Sequence, residues 1–270
     1  MKLRPRRARL CLPAVLLLAA CIVPAQTPLP EVGLEWEVAA SKQALCRLYA
    51  LPPGPCEAPV SVQVAQPSGA LPPGWEGLPP YAAGAAEPSL GRILIVPSRC
   101  GPYPFGDSAQ TLRHEMSHLL LFRTLGFHAP RWFDEGLAMR AAGEWGASDT
   151  AYSLLALPAV ARGNWRLERV DADFAGGESQ VRRSYALAKA FVRDLFPRDA
   201  DLTDFLIEAR AQRSVDTAFL RRFNAAPDAI FQAWAKNLPW WGAWLVAATS
   251  PGVLWGFVTL LFFVAFFAAV

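Results

Sequence analysis

Two histidines four residues apart, with a carboxylate following at helix-turn-helix distance, constrain this 270-residue chain more than anything else in it. Arg113 to Leu120 reads RHEMSHLL and Pro130 to Ala138 reads PRWFDEGLA. Asp107 or Ser108 can cap a helix running to about Leu125, with Gly126 as its stop. Pro130 is placed to open a second helix through about Ala142. Residues four apart on a helix share a face, so His114 and His118 can aim two ring nitrogens at one point. Glu115 lies about 100° further round the helix, beside that point rather than at it.

Such a pair suits a metal ion, and tetrahedral zinc needs a third protein ligand. A histidine six residues after His118 would supply it in the pattern HExxHxxGxxH. Here Leu121 and Thr124 stand at the glycine and histidine positions, so that option fails. A carboxylate on the next helix is the other option, and a turn at Gly126 lets two antiparallel helices bring Glu135 to the histidines. His128 is the alternative ligand. Asp134 is expected to point elsewhere on the same helix. Glu115, flanking the open fourth position, is suited to take a proton from water and hand it to a leaving amine, the logic of HExxH. The competing reading is a helix with two exposed histidines and no metal.

HEMSH followed by PRWFDEGLA resembles the gluzincin metallopeptidases, and closest the bacterial peptidase MA-like families. The likeness extends upstream through PPYAAGAAEPSLGRILIVPS and downstream to SYALAKAFVRDL, covering roughly Leu34 to Asn237. The resemblance implies a zinc cofactor held by His114, His118 and Glu135, with Glu115 as general base. It also implies that Tyr185 hydrogen-bonds the developing oxyanion; the plainer reading is a helix tyrosine packed on the core. One departure stands out. Thermolysin-like relatives carry an aspartate four residues after the glutamate ligand to orient a histidine, and this chain has Met139 there. Support for the ligands must then come from elsewhere.

The ends of the chain read differently. MKLRPRRARL followed by an apolar run resembles an export signal, with a lipobox ending at Cys21 or ordinary cleavage before Gln26. Leu238 to Val270 contains no charge and starts with Trp240, Trp241 and Trp244, which predicts a C-terminal transmembrane helix, kinked or broken at Pro251-Gly252. The exported part is expected outside the cytoplasm, in a bacterial envelope. The net charge of +3 depends on the leader: without Lys2, Arg4, Arg6, Arg7 and Arg9 the chain carries 21 basic against 23 acidic residues. That balance argues against a nucleic-acid partner. Cys46, Cys56 and Cys100 remain beyond the leader region, and Cys46–Cys56 across LPPGP is the preferred disulfide.

Between the ends, helical spacing runs from Glu35 to Tyr49. Strands are expected at Val60–Val64 and Arg92–Val96, with Gln66–Tyr81 as loop. Further helices are expected at Leu154–Arg162, Val181–Phe196, Leu202–Arg213, Val215–Asn224 and Pro227–Lys236. The fold class expected is α+β and mostly helical: a zincin-like catalytic domain with a short edge sheet, plus the transmembrane helix. In domain terms, residues 1–25 are a signal peptide, 26–90 the N-terminal part of the peptidase domain, 91–237 the catalytic core and 238–270 the transmembrane segment. Gly91 to Val96 is expected as the exposed edge that lays out an extended substrate. The function expected is a membrane-anchored zinc peptidase acting on a peptide or protein substrate. The rival is a non-catalytic, zinc-containing envelope binding or scaffold protein, and a chaperone-like lipoprotein is a third idea resting on Leu18 to Cys21.

Overall fold

The computed structural model describes residues 31–66, 68–101, 107–143, 165–237, 255–256 and 258–263. The described chain opens with helix α1 (Glu31–Leu48) and the short α2 (Pro53–Glu57), and strands β1 (Ser61–Val64), β2 (Gly84–Glu87) and β3 (Arg92–Ile95) follow. Helices α3 (Ser108–Leu125) and α4 (Arg131–Ala142) carry the two motifs. After them come α5 (Leu167–Asp173), α6 (Glu178–Leu195), α7 (Asp199–Gln212), α8 (Val215–Phe223) and α9 (Pro227–Asn237). The expected leader (1–25) and the expected helix at Leu154–Arg162 lie outside the described residues.

The expected transmembrane helix requires a correction. Among the described residues no helix is long and apolar enough to cross a membrane. Of the run 238–270 the described part is a helical piece within 255–263. At ~1.5 Å per residue the eight described helical residues account for about 12 Å, less than half of a ~30 Å hydrocarbon core. The rest of that run lies outside the described residues.

The small sheet has the order β1-β3-β2, with β1 parallel and β2 antiparallel to β3. This overturns the expectation that Gly91–Val96 is the exposed edge. RILIV is apolar at consecutive positions, which signals burial on both faces. Ile93 and Ile95 face the main core with Leu112 and Met116 of α3. Leu94 and Val96 pack with Ala65 and Trp75 on the other face. A strand buried on both faces belongs in the middle, and the edge beside α3 is β2. Its sequence, GAAE, carries none of the β-branched residues that announce a strand.

The main core is aromatic. Phe133 of α4 meets Phe196, Phe205 and Phe219, and Trp132 meets Phe191 and Phe219, with ring centroids 5.4 to 6.5 Å apart. Cys46 and Cys56 form the expected disulfide, with Cα atoms 5.8 Å apart, and Cys100 is a free thiol. The bridge ties the end of α1 to α2. Arg123, in the last turn of α3, donates to the carbonyls of Pro55, Ala58 and Pro59, so the same segment also anchors the histidine-bearing helix.

Candidate metal centre

Helix α3 starts where the sequence says it should. Asp107 accepts from the Gln110 backbone at 2.8 Å while the Gln110 side chain accepts from the Asp107 backbone, a reciprocal cap. It ends at Gly126, whose φ of 75° is the left-handed conformation that lets the chain reverse. Helix α4 opens after Pro130, where the Asp171 carboxylate accepts the Trp132 backbone N–H at 2.6 Å. The two helices pack together, and α4 is clasped on its other side by α6.

That clasp depends on Gly136. A Cβ there would lie 2.7 Å from the Ala188 carbonyl oxygen and 2.7 Å from a Val192 methyl. The glycine of EGLA is therefore a contact surface that lets two helix backbones approach.

The result is a cluster of buried His114 and Glu135 with half-buried His118, a group that could hold a metal ion. Glu135 Oε2 lies 3.4 Å from His114 Nε2 and 3.6 Å from His118 Nε2. Bonds of 2.0–2.2 Å in a tetrahedral centre would separate neighbouring ligand atoms by about 3.4 Å. The same oxygen is buried with no hydrogen-bond partner, a costly arrangement unless a cation completes it. The residues present therefore fit a metal. Burial favours the neutral carboxyl of Glu135, but the approach of His114, the His118 charge and Arg131 overcome it and hold the group down at about 2.

Asp134 does not point elsewhere, contrary to expectation. Its Oδ1 lies 2.7 Å from His118 Nδ1. A carboxylate there accepts a hydrogen bond from Nδ1–H and, in the neutral ring, leaves the Nε2 lone pair facing the cluster, as the outer partners of metal-bound histidines do. This is the ligand support that Met139 cannot give; Met139 is buried in the core. Burial lowers the basicity of His118 in the metal-free chain, but Asp134, and then Glu135, outweigh it and raise the ring to about 9.

Glu115 is buried beside the cluster, against the edge strand. A Cβ on Gly84 would come within 2.9 Å of the Glu115 side chain and of Thr111, so a larger residue there would have to displace one of them. Tyr185, on α6, is buried with its ring edge-on to His114, centroids 6.5 Å apart. His128 is not part of the cluster; its ring lies 4.7 Å from that of Phe122. Thr124 donates to the Leu120 carbonyl within α3. Sequence reasoning missed Asp134, Gly84 and Gly136. The first two were visible only as a second acid beside the ligand and as a glycine before two alanines.

No family model, curated protein or solved structure matches the chain.

Proposed function

We propose that the chain is a gluzincin-type zinc peptidase of the peptidase MA-like kind, working outside the cytoplasm on peptide or protein substrates. The observation that carries the reading is the pairing of a three-ligand cluster with a buried glutamate that is not among the ligands. A purely structural zinc takes four protein ligands and has no use for Glu115. Two histidines and one carboxylate, by contrast, are a ligand set of catalytic sites that keep a position open. When bound, zinc supplies the Lewis acidity that polarises a peptide carbonyl and makes water nucleophilic near neutral pH.

The chain's own residues supply the remainder. Glu115 takes the proton from the attacking water and returns it to the departing amine. Asp134 holds the His118 ring so that Nε2 faces the cluster. Tyr185, beside His114, donates to the oxyanion as charge develops. The edge strand β2 orients the peptide. Val96 donates to the Ala83 carbonyl at 2.8 Å, so the alternation of an antiparallel ladder turns the N–H and C=O groups of Gly84 and Ala86 outward. An extended peptide pairing there runs past Glu115. The disulfide supports an oxidising compartment.

The test is Glu115→Gln in the full-length chain, with zinc content and hydrolysis of a quenched peptide library measured side by side. The expected outcome is one zinc per chain in both proteins and hydrolysis reduced by about 10²-fold or more in the variant. Full activity in the variant refutes the mechanism. Zinc without hydrolysis in the wild type favours the non-catalytic binding or scaffold reading.

A further inference from the structure

Arg131 opens α4 one turn before Glu135. Its Nε lies 3.4 Å from Glu135 Oε1, the carboxylate oxygen that does not face the histidines. Its guanidinium sits over the Phe174 ring, 4.8 Å from the centroid. Phe174 stands edge-on to Tyr185 at 5.1 Å, and Tyr185 stands edge-on to His114. Guanidinium, two rings and metal-binding cluster thus form one continuous wall. The Arg131 side chain is 50% exposed while that of Glu135 is 10% exposed, so the wall leads from the buried cluster out to solvent.

A guanidinium has five N–H donors, and holding Glu135 uses one. The two terminal nitrogens of Arg131 make no hydrogen bond or ion pair among the described residues. Its acidic neighbour Asp171 is committed to the Trp132 backbone. Other arginines are saturated in ways that Arg131 is not. Arg123 spends itself on three carbonyls, and Arg140 on the Phe196 carbonyl and Asp199. A planar fork fixed by stacking, with its terminal donors open, has the geometry for bidentate capture of a carboxylate.

We propose that Arg131 is a specificity residue that binds a carboxylate of the substrate within one or two residues of the scissile bond. This rests on the peptidase reading above. Glu135 turns one oxygen to the histidines and the other to Arg131, so the guanidinium lies one carboxylate beyond the cluster. Consecutive Cα atoms are ~3.8 Å apart, so a peptide whose reacting carbonyl sits at the cluster reaches Arg131 within that span. The carboxylate is either the C-terminus of the peptide, giving exopeptidase action, or an Asp or Glu side chain, giving an acid-directed endopeptidase.

Three peptide hydroxamates test this on the zinc-loaded, full-length chain: one with a free C-terminal carboxylate, its C-terminal amide, and an amide carrying a glutamate side chain. Kd is measured for wild type, Arg131→Gln and Arg131→Lys, with zinc content determined for each. The wild type is expected to bind one of the acidic probes about 10- to 100-fold more tightly than the neutral amide. Which acid is favoured identifies the source of the carboxylate. In Arg131→Gln that advantage disappears while zinc content stays at one per chain, and Arg131→Lys recovers part of it. Equal affinity for all three probes in the wild type overturns the inference. So does a preference that survives in Arg131→Gln, or loss of zinc from that variant, which would make Arg131 a support for Glu135 alone. A wild-type chain that takes up no zinc or binds no hydroxamate sinks the peptidase reading itself, and this inference with it.

Discussion

Replacing Gly136 by alanine sets two effects of opposite sign against each other. In an exposed helix interior the change would stabilise by about 1 kcal/mol, because glycine is the poorer helix former. Here the added methyl would lie 2.7 Å from the Ala188 carbonyl oxygen and 3.0 Å from its carbon. Carbon–oxygen contacts settle at about 3.3–3.6 Å, so α4 and α6 must separate by roughly 0.6 Å or more. The obstacle is backbone, which cannot swing aside as a side-chain tip can. Overpacking of this kind costs about 1–3 kcal/mol, so set against the propensity gain the net loss is up to about 2 kcal/mol. For a chain of this size each kcal/mol lowers Tm by about 2–4 °C. Thermal unfolding of the full chain with chelator present is therefore expected to show a fall of up to about 8 °C. The displacement also moves Glu135, the adjacent residue, so a metal titration of the same variant is expected to show weaker binding. Gly77→Ala is the control, since a Cβ there meets nothing within 4 Å; its effect should stay within ~0.5 kcal/mol. A Gly136→Ala chain as stable as wild type, with unchanged metal affinity, would refute the idea that this glycine sets the helix spacing at the site.

Asp134→Ala is expected to lower zinc affinity about 10- to 100-fold while Asp134→Asn, which still accepts a hydrogen bond, loses less; competition with a fluorescent chelator measures both. Equal affinity in all three would remove Asp134 from the site. The pH dependence of the metal-free chain follows from His118. Its basicity is raised in the fold from the ordinary 6.5 to about 9, with Asp134 outweighing the effect of burial. The stabilisation is fully present below pH ~6.5 and lost as pH rises through ~9. Denaturant titrations with chelator at pH 6, 7.5 and 9 should give falling stability, and a flat profile contradicts the pairing. Reducing Cys46–Cys56, which closes a loop with a sequence separation of 10, should cost about 2–3 kcal/mol by loop entropy. The Tm in reductant, compared with that of Cys46→Ser, checks this.

How far the sequence reaches is best seen by comparing neighbouring residues. The helix ends at Asp107, Gly126 and Pro130 are local events, fixed by side chains within three or four positions, and they were legible. So was the Cys46–Cys56 pair, held by a short turn. Asp134 was not, although it sits beside Glu135. Neighbours on a helix diverge by about 100°, which suggested that only one acid could face the histidines. An imidazole, however, presents two nitrogens on different sides, so two diverging acids can each serve one of them. Whether they do depends on how α4 crosses α3, and no local pattern fixes that angle. Strand β2 was illegible for a related reason. Ala85 and Ala86 have weak strand preference, and their pairing is dictated by β3, which is buried on both faces and flanked on both sides. The apolar run at the C-terminus predicted a spanning helix from length and polarity alone, and among the described residues no helix is long and apolar enough to span.

The first two turns of α4 show why site and fold are hard to separate in this chain. Trp132 and Phe133 enter the aromatic core, Asp134 and Glu135 face the two nitrogens of His118, and Gly136 meets α6. Arg131, just before them, stacks outward on Phe174. Six consecutive residues therefore look in four directions, and their partners come from several different segments of the chain. A shift of α4 that improved one contact would spoil another, so the helix has little freedom to drift. That restraint suits a metal centre, because ligand atoms must hold their separation to within a few tenths of an ångström. It also carries a cost. Without a cation, Glu135 Oε2 is kept in the interior, and the cost of burying its charge is offset by His114, His118 and Arg131. The core brings the three groups together before a cation binds, at separations close to those a tetrahedral ion needs.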